Sequence, residues 1–144
     1  MKRETLRVID ANFNRSREGL RVCEDTARFV LNSPALTRDL KYVRHGVTAV
    51  MRKMPVEFKA LIDARNVSAD VGKASRKLTE MTRLGHMDIF MANIERAKEA
   101  LRALEEFFKL IDKDSSARLS RLRFKTYEIE KKAVKRLASL RNSR

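Results

Sequence analysis

Two pairs of polar side chains, each an Asn followed three residues later by an Arg, occur in two similar stretches of the chain. Asn12 and Arg15 lie in ANFNRSREGL, and Asn93 and Arg96 lie in ANIERAKEAL. A guanidinium group presents a planar fork of donors that suits phosphate and carboxylate oxygens, and an Asn amide can bind a base edge or a phosphate oxygen. The chemistry that these residues predict is the binding of an anion.

The two stretches belong to an internal repeat. A shift of 81 residues aligns 8–30 with 89–111 and gives seven identities in 23 positions, where chance at this composition gives about two. The identities are Ala11/Ala92, Asn12/Asn93, Arg15/Arg96, Glu18/Glu99, Leu20/Leu101, Arg21/Arg102 and Glu24/Glu105. A weaker similarity follows between LKYVRH (40–45) and LSRLRF (119–124). The repeat predicts two related helical hairpins, although any two amphipathic helices share part of such a pattern.

The elements that carry these residues are predicted to be helices. Apolar residues recur every three or four positions, and the sequence has only two Pro and four Gly. We expect long helices over about 6–31, from Pro34 to about Met54, over about 87–111, and from the DKDSS turn (112–116) past Leu137. A short helix is expected over 56–62 and a polar helix of uncertain extent over 73–84. The least helical stretch, DARNVSADVGKAS (63–75), is the candidate functional loop.

These elements predict the fold class, an all-α bundle of long antiparallel helices built from two related hairpins. One helical domain would cover 1–144, with pseudo-repeats at about 6–54 and 87–137 joined by the loop 63–86. No β-sheet is expected.

The helical wheel places Asn12 at the centre of the apolar face of its helix and Arg15 just inside that face, and Asn93 and Arg96 take the same places in the second copy. Buried polar groups need partners. The Asn residues could bond each other or a helix end, with the Arg residues reaching solvent or a carboxylate. Alternatively, the four side chains could line a polar cleft that receives an anionic ligand. The pattern alone leaves both alternatives open.

Five charged residues fall on the opposite arc of the first helix. Glu18, Arg21, Glu24, Asp25 and Arg28 stand at three- and four-residue spacings. Such spacing is typical of a solvated ladder of ion pairs, each of which contributes a few tenths of a kcal/mol (about 0.2–0.5). We therefore interpret these residues as a surface ladder.

The chain is strongly basic, with 33 Lys and Arg against 19 Asp and Glu, which gives a formal charge of +14. Anions are therefore the expected partners. Acidic residues interleave with basic ones along both long helices, and this makes nucleic-acid binding the less favoured alternative. Cys23 is the only cysteine and no signal-like segment is seen, and these two features predict a cytoplasmic protein. No apolar run approaches the roughly 18 residues that a membrane span needs, so no membrane span is expected. We also expect a homo-oligomer.

Four segments in order carry a resemblance to a known family. They are ANFNRSREGLRVCEDTARFVL, ARNVSADVG, ANIERAKEALRALEEFFKL and RLRFKTYEIEK, and together they span about residues 6–132. The chain resembles the helical domain that accompanies thiamine-phosphate synthase in some bacteria and also occurs alone. The resemblance implies an ATP-dependent kinase that phosphorylates 4-amino-5-hydroxymethyl-2-methylpyrimidine phosphate to the diphosphate in thiamine biosynthesis. The alternative is a non-catalytic helical partner or regulatory module of that synthase.

Under this resemblance the residues take definite roles. Asp70 and Arg96 would be catalytic, and Mg²⁺ would be held by Asp70 with Glu18 or Glu99. The phosphorylated pyrimidine would be bound by Asn12, Arg15, Asn93, Arg96 and Arg65, with Arg44 and Arg123 as further cations. ATP would lie against Arg65, Gly72 and Lys73.

Overall fold

The computed structural model of the chain describes residues 1–73 and 82–142, with side chains described as far as Leu140. The helices are α1 (Arg3–Asp25), α2 (Pro34–Arg52), α3 (Phe58–Asp63), α4 (His86–Phe108) and α5 (Lys113–Asn142). No strand occurs within these two ranges. The prediction of an all-α bundle is therefore confirmed.

The connection between α1 and α2 is short and specified locally. The helix predicted over 6–31 is α1 followed by a π-helical turn, Thr26–Val30. Asn32 then adopts a left-handed conformation (φ 48°), which an Asn tolerates better than most residues. The Ser33 side chain accepts a hydrogen bond from the Leu36 amide at 3.2 Å, and Pro34 occupies the first turn of α2. The expected stop and restart of the chain at this point is confirmed.

The connection between α4 and α5 is set by Asp112. Its carboxylate accepts hydrogen bonds from the Ser115 hydroxyl at 2.6 Å and from the Asp114 amide at 3.2 Å. These bonds, with that of Ser115 first, lower the pKa of Asp112 and supply the cap that the first turn of α5 needs. Helix α4 ends at Phe108, three residues earlier than expected, and α5 continues past Leu137 as expected.

The region between α2 and α4 contains only one short described helix. The helix expected over 56–62 is α3, Phe58–Asp63. Of the polar helix expected over 73–84, residues 74–81 lie outside the described residues, and neither Lys73 nor 82–84 is helical.

The four long helices pack in a ring, in which α1 contacts α2 and α4, and α5 contacts α2 and α4. The repeat-related helices α1 and α4 therefore lie side by side, as do α2 and α5. The largest fully buried side chains come from all four helices and are Ile9, Leu20, Leu40, Phe90, Ile94, Leu101, Leu104, Phe108, Leu119 and Ile129. None of the described helices is long and apolar enough to cross a bilayer.

Candidate functional site

The contact between α1 and α4 is unusually close at Gly19. A Cβ atom on Gly19 would lie 2.7 Å from the carbonyl oxygen of Asn93 and 3.5 Å from the Cβ of Ala97. The residue related to Gly19 by the repeat is Ala100, which is also small and buried. Small side chains at the crossing let the two backbones approach, so that polar residues beside the crossing face each other.

A cavity of about 450 Å³ lies beside this crossing and is called here the repeat cavity. Its lining comes from both copies of the repeat and from the loop after α3, and consists of Asn12, Arg15, Glu18, Gly19, Gly72, Lys73, Asn93, Arg96, Glu99 and Ala100. The structure thus brings together the four Asn and Arg residues that the sequence singled out. It also brings Glu18, Glu99, Gly72 and Lys73 to the same place.

The two Asn side chains are held in the same way. The Asn12 amide donates to the carbonyl oxygen of Val8 at 2.9 Å, and the Asn93 amide donates to that of Ile89 at 2.8 Å. Neither bonds the other or a helix end. Each bond fixes the side chain against its own helix and leaves the amide oxygen and one N–H group available to a ligand.

The two Arg side chains of the cavity are exposed, so Arg15 does not lie inside the apolar face as the wheel predicted. Both side chains stand at the edge of the apolar arc, and a long Arg side chain reaches solvent from such a position. Among the described residues, Arg15, Arg96 and Lys73 form no ion pair. These three cations and the carboxylates of Glu18 and Glu99 give the lining a formal excess of one positive charge.

Two further predicted phosphate ligands, Arg44 and Arg123, do not lie on the repeat cavity. Arg44 Nη2 lies 3.0 Å from Glu24 Oε2, and Arg123 Nε donates to Glu105 Oε2 at 3.0 Å. The hydrogen bond with Glu105 raises the pKa of Arg123. Both pairs are largely buried and join equivalent helices, α1 to α2 and α4 to α5. Each of these two arginines therefore links the two helices of its own hairpin.

The same pairs correct the interpretation of Glu24. Its side chain is only 7% exposed, so it is not part of a solvated ladder. Of the predicted ladder, the exposed pair among the described residues is Arg21 with Asp25 at 3.7 Å, and Arg21 also lies 3.6 Å from the buried Glu24. Packing of α2 against this side of α1 buries Glu24, and the wheel of a single helix cannot show that packing.

A second cavity of about 700 Å³, called here the loop cavity, adjoins the first and shares Asn12, Arg15 and Glu18 with it. Arg65 and Asp70 line this second cavity and not the first. The carboxylate Oδ1 of Asp70 accepts a hydrogen bond from the Gly72 amide at 2.8 Å. Asp70 therefore shapes the turn that brings Gly72 to the repeat cavity.

The predicted Mg²⁺ ligands are not gathered into one set. Asp70 and Glu99 line different cavities, with Glu18 at the boundary of both. Within the part of the chain that the structure describes, no three Asp, Glu, His or Cys residues are grouped closely enough to hold a metal ion. The described residues therefore do not fit a metal centre. ATP stays a prediction.

Sequence reasoning missed two residues of this region. Gly19 carries a visible signal, a Gly in the interior of a long helix, where it is disfavoured unless close packing needs it. Asp10 carries none, because it has no counterpart in the repeat and lies almost opposite Asn12 on the wheel. The structure nevertheless leaves it only 4% exposed, covered by Arg65.

Relatives were found among curated proteins. The chain is 36% identical over 138 residues to the thiamine-phosphate synthase of Rhodopirellula baltica, which is 96% of this chain and 36% of the synthase. It is also 36% identical over 124 residues to the thiamine-phosphate synthases of Synechocystis sp. and Nostoc sp., 86% of this chain and 34% of each synthase. The chain thus spans about a third of the length of these relatives. No solved structure matches it.

These relatives correct the main functional prediction. They are named for the synthesis of thiamine phosphate and not for phosphoryl transfer from ATP, so the predicted pyrimidine phosphate kinase is wrong on this finding. The alternative, a helical partner or regulatory module of thiamine-phosphate synthase, agrees with them better. The broader expectation, a connection with thiamine biosynthesis, agrees with the names of these relatives.

A family model agrees with the relatives and covers nearly the whole helical region. The model of the ThiD2 family matches residues 7–132, from the second turn of α1 to the middle of α5. The match includes both Asn and Arg pairs and the loop after α3. The chain belongs to the ThiD2 family.

Proposed function

We propose that this chain is a ligand-binding helical module that works with thiamine-phosphate synthase and holds a phosphorylated pyrimidine in the repeat cavity. The observation that carries the proposal is the convergence of Asn12, Arg15, Asn93 and Arg96 on one cavity, with both guanidinium groups free of ion pairs to described residues. The module binds its ligand and transfers no phosphoryl group.

The chemistry of the cavity suits such a ligand. A phosphate monoester has its second pKa near 6 and therefore carries nearly two negative charges at neutral pH. Arg15 and Arg96 offer forked donors to that group, and Lys73 adds a third positive charge from the loop. The amides of Asn12 and Asn93 can both donate to and accept from a pyrimidine edge. A volume of about 450 Å³ lies within the usual range for small-molecule sites.

The synthase partner is supported by the relatives, in which the matched region makes up about a third of the chain and is joined to the other two thirds. Light scattering of the chain alone, and after mixing with a full-length thiamine-phosphate synthase, tests this association. A stable mixed species supports the partnership, and separate species at micromolar concentration contradict it. The same measurement on the chain alone tests the expected homo-oligomer.

The ligand is tested by calorimetric titration with 4-amino-5-hydroxymethyl-2-methylpyrimidine phosphate. Arg15→Ala and Arg96→Ala should each weaken binding at least about tenfold, equivalent to about 1.4 kcal/mol, because each removes a charged fork from the phosphate. Neither should lower the melting temperature by more than about 2 °C, since neither side chain has a described ion-pair partner.

Arg21→Ala is the matched control. Arg21 is an exposed Arg on the same helix as Arg15 and pairs only with α1 carboxylates outside the cavity. It should leave the affinity unchanged. An equal loss in all three variants would show that overall charge, and not the cavity, attracts the ligand. Retained affinity in Arg15→Ala and Arg96→Ala would refute the proposed site.

A further inference from the structure

An ion pair joins the loop after α3 to helix α1 close to the repeat cavity. Arg65 Nε donates to Asp10 Oδ2 at 2.6 Å, and Arg65 Nη2 donates to Asp10 Oδ1 at 2.9 Å. This two-pronged geometry fixes the orientation of both groups as well as their distance. The hydrogen bond that Arg65 donates to Asp10 raises the pKa of Arg65, and a guanidinium group is in any case charged at neutral pH.

The α1 end of the pair is itself fixed. The Asp10 side chain is only 6% exposed, and the Asn14 amide donates to its Oδ1 at 3.3 Å and to its carbonyl oxygen at 3.0 Å. Asp10 lies two residues before Asn12 on the same helix. The loop is therefore tied to the element that also carries the first Asn and Arg of the cavity.

The loop end of the pair is braced by its own hydrogen bonds. Asn66 Oδ1 accepts from the Ala69 amide at 3.3 Å, and the Asp70 carbonyl oxygen accepts from the Lys73 amide at 3.2 Å. With the bond between Asp70 and Gly72, these contacts make 66–73 a chain of short turns that leads from Arg65 to Lys73. On the helix side, Ala64 is buried in the core.

We propose that Arg65 is a positioning residue, which anchors this loop to Asp10 and so presents Lys73 to an anion in the repeat cavity. Arg65 lines the loop cavity and not the repeat cavity, so its influence on the ligand passes through the loop. This assignment replaces its expected role as a direct phosphate ligand. The part that concerns the ligand rests on the proposed function.

The anchoring is tested without any ligand, by spin-label mobility. Val71 lies on the loop and is fully exposed, whereas the native Cys23 is buried and will not react in the folded protein. A nitroxide on Val71→Cys should therefore report on the loop alone. Arg65→Ala should raise its mobility at least about twofold, and Arg65→Lys should restore part of the order.

Lys59→Ala is the control for this measurement. It removes one exposed cation from the neighbouring helix α3, whose ion pair is with Asp63 of the same helix at 2.8 Å and does not reach α1. The label should not respond to it. Unchanged mobility in Arg65→Ala, in protein that a melting curve shows to be folded, would overturn the proposal.

The route through Lys73 is tested by a double-mutant cycle on the affinity for the pyrimidine phosphate. Arg65→Ala and Lys73→Ala should each weaken binding about fivefold to tenfold, and the double variant should bind no more weakly than Lys73→Ala alone. Additive losses would mean that Arg65 meets the ligand directly, and would overturn the route. If the wild-type chain binds no pyrimidine phosphate, the proposed function fails, and the label experiment still decides whether Arg65 anchors the loop.

Discussion

The two pairs of arginines that the repeat aligns have different environments, and the difference lies in the nearest carboxylate. Arg44 and Arg123 are largely buried, and each meets a Glu of the neighbouring helix in its hairpin. Arg15 and Arg96 stand on the α1 and α4 faces where no described carboxylate pairs with them. The first two are structural, since removing either partner of a buried pair leaves an uncompensated charge.

The buried pair gives a prediction at the residue scale. Glu24→Gln keeps the shape of the side chain but leaves the Arg44 guanidinium, which is 11% exposed, without its counter-charge. The free energy of unfolding should fall by about 3–5 kcal/mol, measured by urea denaturation. The adjacent Asp25→Asn changes a carboxylate that is 50% exposed and should cost less than about 0.5 kcal/mol. Similar losses in both variants would contradict the structural role of the buried pair.

The helix pairs α1/α4 and α2/α5 each contain one glycine at a close approach, but the atoms that face the two glycines differ. Gly19 faces the backbone carbonyl of Asn93, whereas Gly46 faces the end of the Leu122 side chain, whose Cδ2 would lie 2.8 Å from a Cβ atom placed on Gly46. A backbone carbonyl in a packed helix cannot move without shifting the helix, and a leucine methyl group can. The α1/α4 crossing is therefore the rigid element beside the cavity.

This contrast gives a prediction at the element scale. Gly19→Ala and Gly46→Ala gain the same helix propensity, about 1 kcal/mol, so their difference isolates the steric cost. Gly19→Ala should lower the free energy of unfolding by about 1–3 kcal/mol, and Gly46→Ala should change it by less than about 1 kcal/mol. Thermal and urea unfolding measure both. If the two variants are equally stable, the close crossing of α1 and α4 is not rigid.

Across the whole molecule, the positive charge is segregated. Among the described side chains that are exposed, those of α2 and α5 comprise nine basic and two acidic ones, whereas those of α1 and α4 comprise six basic and seven acidic ones. The basic set is Arg38, Lys41, Arg52, Lys113, Arg121, Lys131, Lys132, Lys135 and Arg136. The mixture of acidic and basic residues is therefore a property of α1 and α4, on the cavity side of the bundle. The exposed side of α2 and α5 is a basic surface.

The basic surface gives a prediction at the scale of the molecule. At about 20 mM salt the chain should bind duplex DNA without sequence preference, and the affinity should fall steeply towards about 200 mM because binding releases counterions. Exchanging Lys131, Lys132 and Lys135 for Glu should abolish this binding, whereas Arg96→Ala should not change it. Fluorescence anisotropy with labelled DNA measures the effect. Binding that is insensitive to salt, or that survives the triple exchange, would contradict an electrostatic origin on α5.

The amino-acid sequence by itself determined the helices, the restart at Ser33 and Pro34, and the equivalence of the two Asn and Arg pairs. The helices and the restart depend on residues within about one helical turn of each other, whose spacing is visible in one dimension. The equivalence of the two pairs is visible in the same way, as an identity pattern repeated after 81 residues. The kinase activity was implied by the resemblance alone. No motif in the chain, read from the spacing of its residues, indicated it.

Only the tertiary structure decided which cations form ion pairs with carboxylates that are distant in the sequence. Arg44 meets Glu24 across 20 residues, Arg123 meets Glu105 across 18, and Arg65 meets Asp10 across 55. Each of these ion pairs depends on which helix or loop packs alongside. A charge that packing buries needs an opposite charge, and the neighbouring element supplies it. The cations that packing left without such a partner, at the crossing of the two repeats, are the ones that define the candidate site.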